Sequence, residues 1–264
     1  MLRVIQNESR AMLHDIKKLE GYAVGASDGE LGTVKDLYFD DQHWAIRYLV
    51  VEAGGWLSGR KVLISPGAVI RVAWDEDTID VRLTRQQVRD SPSIDTDKPV
   101  SRQHEMEFSD YYGYPYYWEG TYLWGPLMYP FPSVEPPADS SPVASSPGRG
   151  DTMEAGKGNI DVKPEATDSH LRSSNDVIGH EAMATDGPIG RIQSFVFDDE
   201  SWSIRHLVVN TANWLRGKRV LLSPHQIQHI SWPEREVYLD ITRQAVKASP
   251  EYTEQFVATL QTRD

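Results

Sequence analysis

The chain has 264 residues and a formal net charge of −12, the wrong sign for a broad phosphate-neutralising face, so neither nucleic-acid binding nor adhesion to an anionic membrane is expected. It has no cysteine, which excludes disulfides, thiol nucleophiles and Cys-held metal or iron–sulfur centres. No stretch approaches the ~20 apolar residues of a membrane span, and Met1–Leu13 lacks a basic segment followed by an apolar run, so a soluble cytoplasmic protein without a secretory signal is expected.

In chain order, residues 1–20 form a lead-in in which Met12, Leu13, Ile16 and Leu19 fall at helical spacing, fitting a short amphipathic helix or a lead-in strand. From Gly21 a run of short strands is predicted. Tyr22-Ala23-Val24 is followed by the Ser27-Asp28-Gly29 turn. Leu31–Phe39 comes next, with Leu31, Val34, Leu37 and Phe39 facing inward and a bulge near Gly32. Asp40–His43 is a hairpin loop, and Trp44–Val51 returns antiparallel until Gly54-Gly55 breaks it. Lys61–Ile64, Val69–Trp74 and Ile79–Leu83 complete the set. Thr84 then caps a short helix, with Gln87 three residues on completing a capping box, and Ser91-Pro92 ends it.

This run occurs twice. Asp40–Pro66 aligns without a gap on Asp198–Pro224 at a constant offset of 158, and the match extends from Gly21/Gly179 to Pro92/Pro250 with about two positions in five identical. Two modules are therefore expected, at 21–100 and 171–250. Between them lie an aromatic segment at 101–125, whose Tyr111, Tyr112, Tyr114, Tyr116, Tyr117 and Trp118 are candidate partner-binding residues, and a Pro/Ser/Gly-rich linker at 126–170. The linker's composition cannot bury enough apolar surface to offset its ordering entropy. Two readings of the aromatic segment stand side by side, a strap packed on one module and an exposed partner-binding surface. The tail, 251–264, carries Phe256, Val257 and Leu260 at helical spacing and predicts a short terminal helix.

The pattern resembles the PRC-barrel family. It is carried by Gly21, Val24, Asp28-Gly29-Glu30-Leu31-Gly32, Asp36, Asp40, Leu49-Val50-Val51, Gly54-Gly55-Trp56-Leu57, Ile64-Ser65-Pro66, Thr84 and Pro92. The second copy retains Gly179, Asp186-Gly187, Gly190, Asp198, Leu207-Val208-Val209, Trp214-Leu215, Ser223-Pro224, Thr242 and Pro250. It departs at Ala182 for Val24, Ser194 for Asp36 and Ala212-Asn213 for Gly54-Gly55, and Ala245 stands where Gln87 completes the first capping box. The resemblance implies two small antiparallel six-stranded barrels, each closed by a short helix, used for binding and assembly. Relatives include the cytoplasmic domain of the photosynthetic reaction-centre H subunit and a ribosome-maturation factor. The fold class expected is mostly β.

Candidate chemistry reads mainly as architecture. Asp40-Asp41 and Asp198-Asp199 could bind a cation or act as acid and base, but Asp is a standard turn residue and adjacent side chains at a hairpin tip diverge. Arg47 and Arg205 are expected to pair with turn carboxylates. The repeated Trp44/Trp202, Trp56/Trp214 and Trp74/Trp232 are expected in or over the core, because large aromatics dominate small cores. His180, His206, His225 and His229 have no counterpart histidines in the first module; in a strand positions four apart, such as His225 and His229, lie about 13 Å apart, too far to chelate one ion, whereas on a helix they could. Phosphate-loop, dinucleotide and Ser/His/Asp patterns are absent. The expectation is a non-catalytic binding or scaffold protein with no catalytic residues, cofactor or metal, an unidentified protein partner, and its two modules paired with each other. The alternatives are a soluble relative of the reaction-centre H subunit, peripherally associated with a membrane complex and tuning electron or proton transfer, and a hydrolase using paired carboxylates.

Overall fold

The computed structural model describes residues 12–93, 100–130, 170–211, 215 and 217–260. The linker expected at 126–170 falls outside the described residues except at its two ends.

The first half runs β1 (Leu13–Asp15), a 3-10 turn (Ile16–Leu19), β2 (Ala23–Ala26), β3 (Gly29–Asp40), β4 (Ala45–Ala53), β5 (Lys61–Ile64), β6 (Val69–Ala73), β7 (Thr78–Val81) and α1 (Arg85–Asp90), then α2 (Arg102–Tyr112). The second half repeats the order as β8 (Leu171–Ser173), α3 (Ser174–Val177), β9 (Glu181–Ala184), β10 (Gly187–Asp198), β11 (Ile204–Asn210), β12 (Arg219–Leu222), β13 (Ile227–Ser231), β14 (Glu236–Leu239), α4 (Arg243–Ala248) and α5 (Glu254–Leu260).

Each half builds a mostly antiparallel sheet, β5-β4-β3-β2-β7-β6 in the first and β12-β11-β10-β9-β14-β13 in the second. The inward residues expected on β3 are there: Leu31, Val34, Leu37 and Phe39 are fully buried in the main core. Gly32 sits beside a register shift between β2 and β3, with φ of +156°, and a Cβ there would lie 2.0 Å from the Glu52 carbonyl oxygen. Only glycine allows that close crossing of two strands, and Gly190 repeats it against Asn210. Thr84 caps α1 with the full capping box. Thr242 caps α4 through its own side chain alone, since Ala245 has no group to return the bond.

Three features correct the expected architecture of two closed six-stranded antiparallel barrels. Each sheet has seven strands. Each contains one parallel pair, β2 with β7 and β9 with β14. Neither closes: the hydrogen-bonded path ends at β5 and β6, where the 3-10 turn Pro66–Ala68 redirects the chain rather than reversing it into a hairpin. The seventh strand comes from the opposite half. β1 pairs with β10, and β8 pairs with β3, at equivalent positions. β3 is long enough for both neighbours on one edge, Ala23–Ala26 at its start and Leu171–Ser173 at its end.

The core follows from this exchange. One buried cluster spans both halves, with Phe39 and Phe195 5.4 Å apart between ring centres. Two smaller clusters lie on the outer faces. Phe108 and Val100 cover Tyr38, Tyr48, Val50 and Leu63 in the first half, while Tyr252 and Val257 cover Val196, Val208 and Leu221 in the second. A helix-covered outer face explains why β4 reads as a nearly continuous apolar run and is almost wholly buried.

Candidate functional site

Two places gather polar and aromatic side chains: the seam where the halves meet, and the segment from α2 to Pro130 that packs on the first half.

At the seam the tips of the β3–β4 and β10–β11 hairpins touch. Ile46 N–H donates to the Trp202 carbonyl at 2.8 Å, and Ile204 N–H donates to the Trp44 carbonyl at 2.6 Å, the same bond repeated across a pseudo-twofold axis. Trp44 and Trp202 adopt φ of 53° and 58°, a conformation unusual for bulky residues. It is held from both sides, by the turn bonds from Trp44 and Trp202 N–H to the Asp40 and Asp198 carbonyls and by the opposite half.

Asp40 and Asp198 organise those turns. Asp40 accepts the Gln42 and His43 N–H groups and pairs with Arg47 at 3.0 Å; Asp198 accepts from Glu200 and Ser201 and pairs with Arg205 at 2.8 Å. Burial pushes the Asp40 carboxyl up, but Arg47, the Gln42 N–H and His43 outweigh it and hold the group below the ordinary carboxylate range. The neighbouring acids point elsewhere. Asp41 binds Arg172 at 2.7 Å, and Asp199 binds His14 at 3.3 Å, so each ties its own turn to the strand donated by the other half. Arg172 lies 4.4 Å over the Trp232 ring, and His14 stacks on Trp74 at 3.6 Å.

A further pair of contacts closes the seam with opposite polarity. The Asp36 carboxylate accepts from Ser173 Oγ at 2.6 Å, Ser174 Oγ at 2.9 Å and the Asn175 N–H. At the equivalent place Ser194 Oγ donates to the Asp15 carboxylate, which also accepts from Tyr252 Oη at 2.9 Å. The departure of Ser194 from Asp36 was legible in the sequence. Its partners were not, because Asp15 and Ser173 precede the aligned region.

The repeated arginines differ sharply. The Arg47 side chain is 1% exposed and that of Arg205 is 50% exposed, although each pairs with its aspartate. The cause is the segment following α2. Arg47 lies 3.9 Å from the Tyr117 ring centre and 4.8 Å from that of Trp124, and donates to the Leu123 carbonyl at 2.7 Å. Trp124 Nε1 donates to the Ser201 carbonyl, carrying the segment across to the second half. Beneath it lies a small cavity of about 30 Å³ lined by Arg47, Tyr48, Ser109, Tyr114 and Tyr117 among others. Glu105, 1% exposed on α2, accepts from Tyr117 Oη and lies 3.3 Å from Arg102. Burial pushes its carboxyl up to about 7 even though Tyr117 and Arg102 pull it down.

Of the six aromatic candidates, Tyr117 is buried, Tyr112, Tyr114, Tyr116 and Trp118 are half-buried, and Tyr111 is exposed. Tyr112 and Tyr114 stack on each other and pack on Phe108; Tyr116 and Trp118 stack at 4.9 Å. The aromatic density had hidden the helix α2, which begins at the Ser101 cap and ends at Gly113 with φ of +68°. Trp56 donates to the Leu31 carbonyl and lies under Arg85 and Arg89; Trp214 lies outside the described residues. Glu105, Asp15 and Ser173 are the site residues that sequence reasoning missed. For Glu105 the signal was Ser101 followed by Glu105, Phe108 and Tyr112 at helical spacing.

His225 and His229 line a cleft of about 480 Å³ between the halves together with Asp41, His170, Arg172 and Trp232; its counterpart of about 310 Å³ holds Arg71, Trp74, Asp199 and Trp202. His180 is buried beside Trp232, and burial pushes its imidazole down. Among the described residues no group of three or more His, Asp or Glu could hold a metal ion. No helix among them is long and apolar enough to cross a membrane.

The strand pattern and turns of the first half are those of a known class. Residues 13–88, β1 included, match the PRC-barrel domain. The chain is also similar to an uncharacterized protein of Deinococcus radiodurans, 29% identical over 120 residues, which covers 40% of this chain and 43% of the relative. The aligned region therefore spans less than half of that relative's length.

Proposed function

We propose that the chain is a non-catalytic binding and scaffold protein made of two PRC-type units that complete each other's sheets and present the segment after α2 to a protein partner. The observation that carries this reading is the distribution of exposed apolar side chains. Most of the aromatic segment folds down on the first half, but Tyr122 near its end and Met128 and Tyr129 just beyond it stand 54%, 59% and 47% exposed. Tyr and Met are enriched at interface cores, and apolar residues left outward on an otherwise acidic molecule mark a contact surface. The titratable groups most suited to chemistry, the paired aspartates, are engaged in turns and in binding the exchanged strands, which supports a structural role for them.

The test is cross-linking of the full-length chain in its native host, beside a variant carrying Tyr122→Ser, Met128→Ser and Tyr129→Ser. A protein cross-linked to the parent chain and lost from the folded variant is expected. Recovery of the same proteins with both chains would overturn the assignment of this surface.

A further inference from the structure

We propose that the seam carries a pairing code in which each half accepts the leading strand of the unlike half and rejects a leading strand of its own kind. The inference stands on the seam alone and does not depend on the identity of any outside partner.

Most seam contacts cannot discriminate, because the repeat supplies the same chemistry on both sides. Positions 13 and 171 are both leucine. His14 and Arg172 are both basic and each meets an aspartate, Asp199 or Asp41, and a tryptophan, Trp74 or Trp232. The Trp44 and Trp202 carbonyls receive equivalent N–H groups. Any combination of halves would satisfy these.

One polar position is inverted. In the first half the sheet offers a carboxylate, Asp36, and the incoming strand offers hydroxyls, Ser173 and Ser174. In the second half the sheet offers a hydroxyl, Ser194, and the incoming strand offers a carboxylate, Asp15. Ser194 and Ser174 are 1% exposed, and Asp15, Asp36 and Ser173 are half-buried, so water only partly screens these contacts. Were a first half to receive a β1 strand, Asp15 would face Asp36, two half-buried carboxylates whose like charges repel. Were a second half to receive β8, serine would face serine and no carboxylate would be present to take the charge-assisted bond. Unlike pairing is the one arrangement that gives both acids a hydroxyl donor. A duplicated self-complementary surface would otherwise leave like and unlike pairing nearly equivalent, allowing copies to join into mixed assemblies.

The experiment is a double-mutant cycle in the full chain, read by equilibrium denaturation at neutral pH. Ser173→Asp sets an acid against Asp36 while still able to cap α3, and is expected to lower the folding equilibrium constant at least tenfold. Adding Asp36→Ser reproduces the polarity found at Asp15 and Ser194, and is expected to restore most of that loss. Equal or greater loss in the double variant, the sum of the two single effects, would overturn the proposal. Should Ser173→Asp alone fail to fold, the double variant still decides, since the code requires it to fold. A second readout addresses selectivity directly. With Asp15→Ser and Asp36→Ser together, serine occupies all four positions, and native mass spectrometry is expected to show concentration-dependent species beyond those of the parent chain. An unchanged distribution would count against the code.

Discussion

At the scale of single residues, identity at equivalent positions does not secure an equivalent environment. Arg47 and Arg205 occupy equivalent positions in the two copies and bind equivalent aspartates, yet one is sealed under aromatic rings and the other is half-exposed. Glu105 shows what such sealing does to a carboxyl. Its folded-state pKa, near 7, lies above the ordinary value of 4.5, so folding favours the protonated form. The stabilisation is fully present below about pH 4.5 and is lost as pH rises through 7. Glu105→Gln mimics the protonated state. Relative to the parent chain it should gain on the order of 2 kcal/mol between pH 5 and 8, measured as the difference in urea denaturation at each pH. A difference that stayed flat across this range would refute the assignment.

At the scale of elements, one buried guanidinium ties together several parts of the segment after α2 and the first half, beside the apolar packing of Tyr117 and Trp124 in the main core. Arg47 binds the Asp40 turn, the Leu123 carbonyl and two aromatic faces at once. Replacing it by methionine removes the guanidinium paired with the buried Asp40 carboxylate. Arg47→Met should therefore cost roughly 3–5 kcal/mol and expose Trp124, visible as a red-shifted tryptophan emission. Arg205→Met removes the matching pair in a half-exposed setting and should cost no more than ~1 kcal/mol. Comparable losses for the two would show that the aromatic cover contributes nothing. The elements themselves were largely readable. Turn residues, caps and alternation marked β2 through α1 and their repeats, because those features act between near neighbours. α2 was hidden because its aromatic residues resemble a strand or loop in composition while its burial depends on a sheet face far away in sequence.

At the scale of the whole molecule, the exchange of β1 and β8 ties the two halves together and predicts that they unfold as one cooperative body. Each sheet lacks a strand without the other, and the main core includes Phe39, Phe195, Phe197 and Trp202 together. Denaturation followed by far-UV and near-UV signals should give one coincident transition. Phe195→Ala, which empties a fully buried site against Phe39 and Trp44, should lower its midpoint by the equivalent of about 3–5 kcal/mol without splitting it. Two separable transitions would mean that the seam does not couple the halves.

By itself the sequence determined the duplication, the strand and turn positions, the capped helices, the inward face of β3 and the aspartate–arginine pairs at the hairpin tips. The duplication shows as self-similarity at an offset of 158; the rest follow from local periodicity and from side chains within about eight positions of each other. The tertiary structure decided which sheet receives each leading strand, that the sheets stay open, which arginine is covered, and that Asp36 and Ser194 face Ser173 and Asp15. Strand pairing depends on backbone hydrogen bonds that any residue can make, so a three-residue strand carries no address of its own. The address lies in contacts across more than a hundred residues of chain, where only the folded arrangement brings donor and acceptor together.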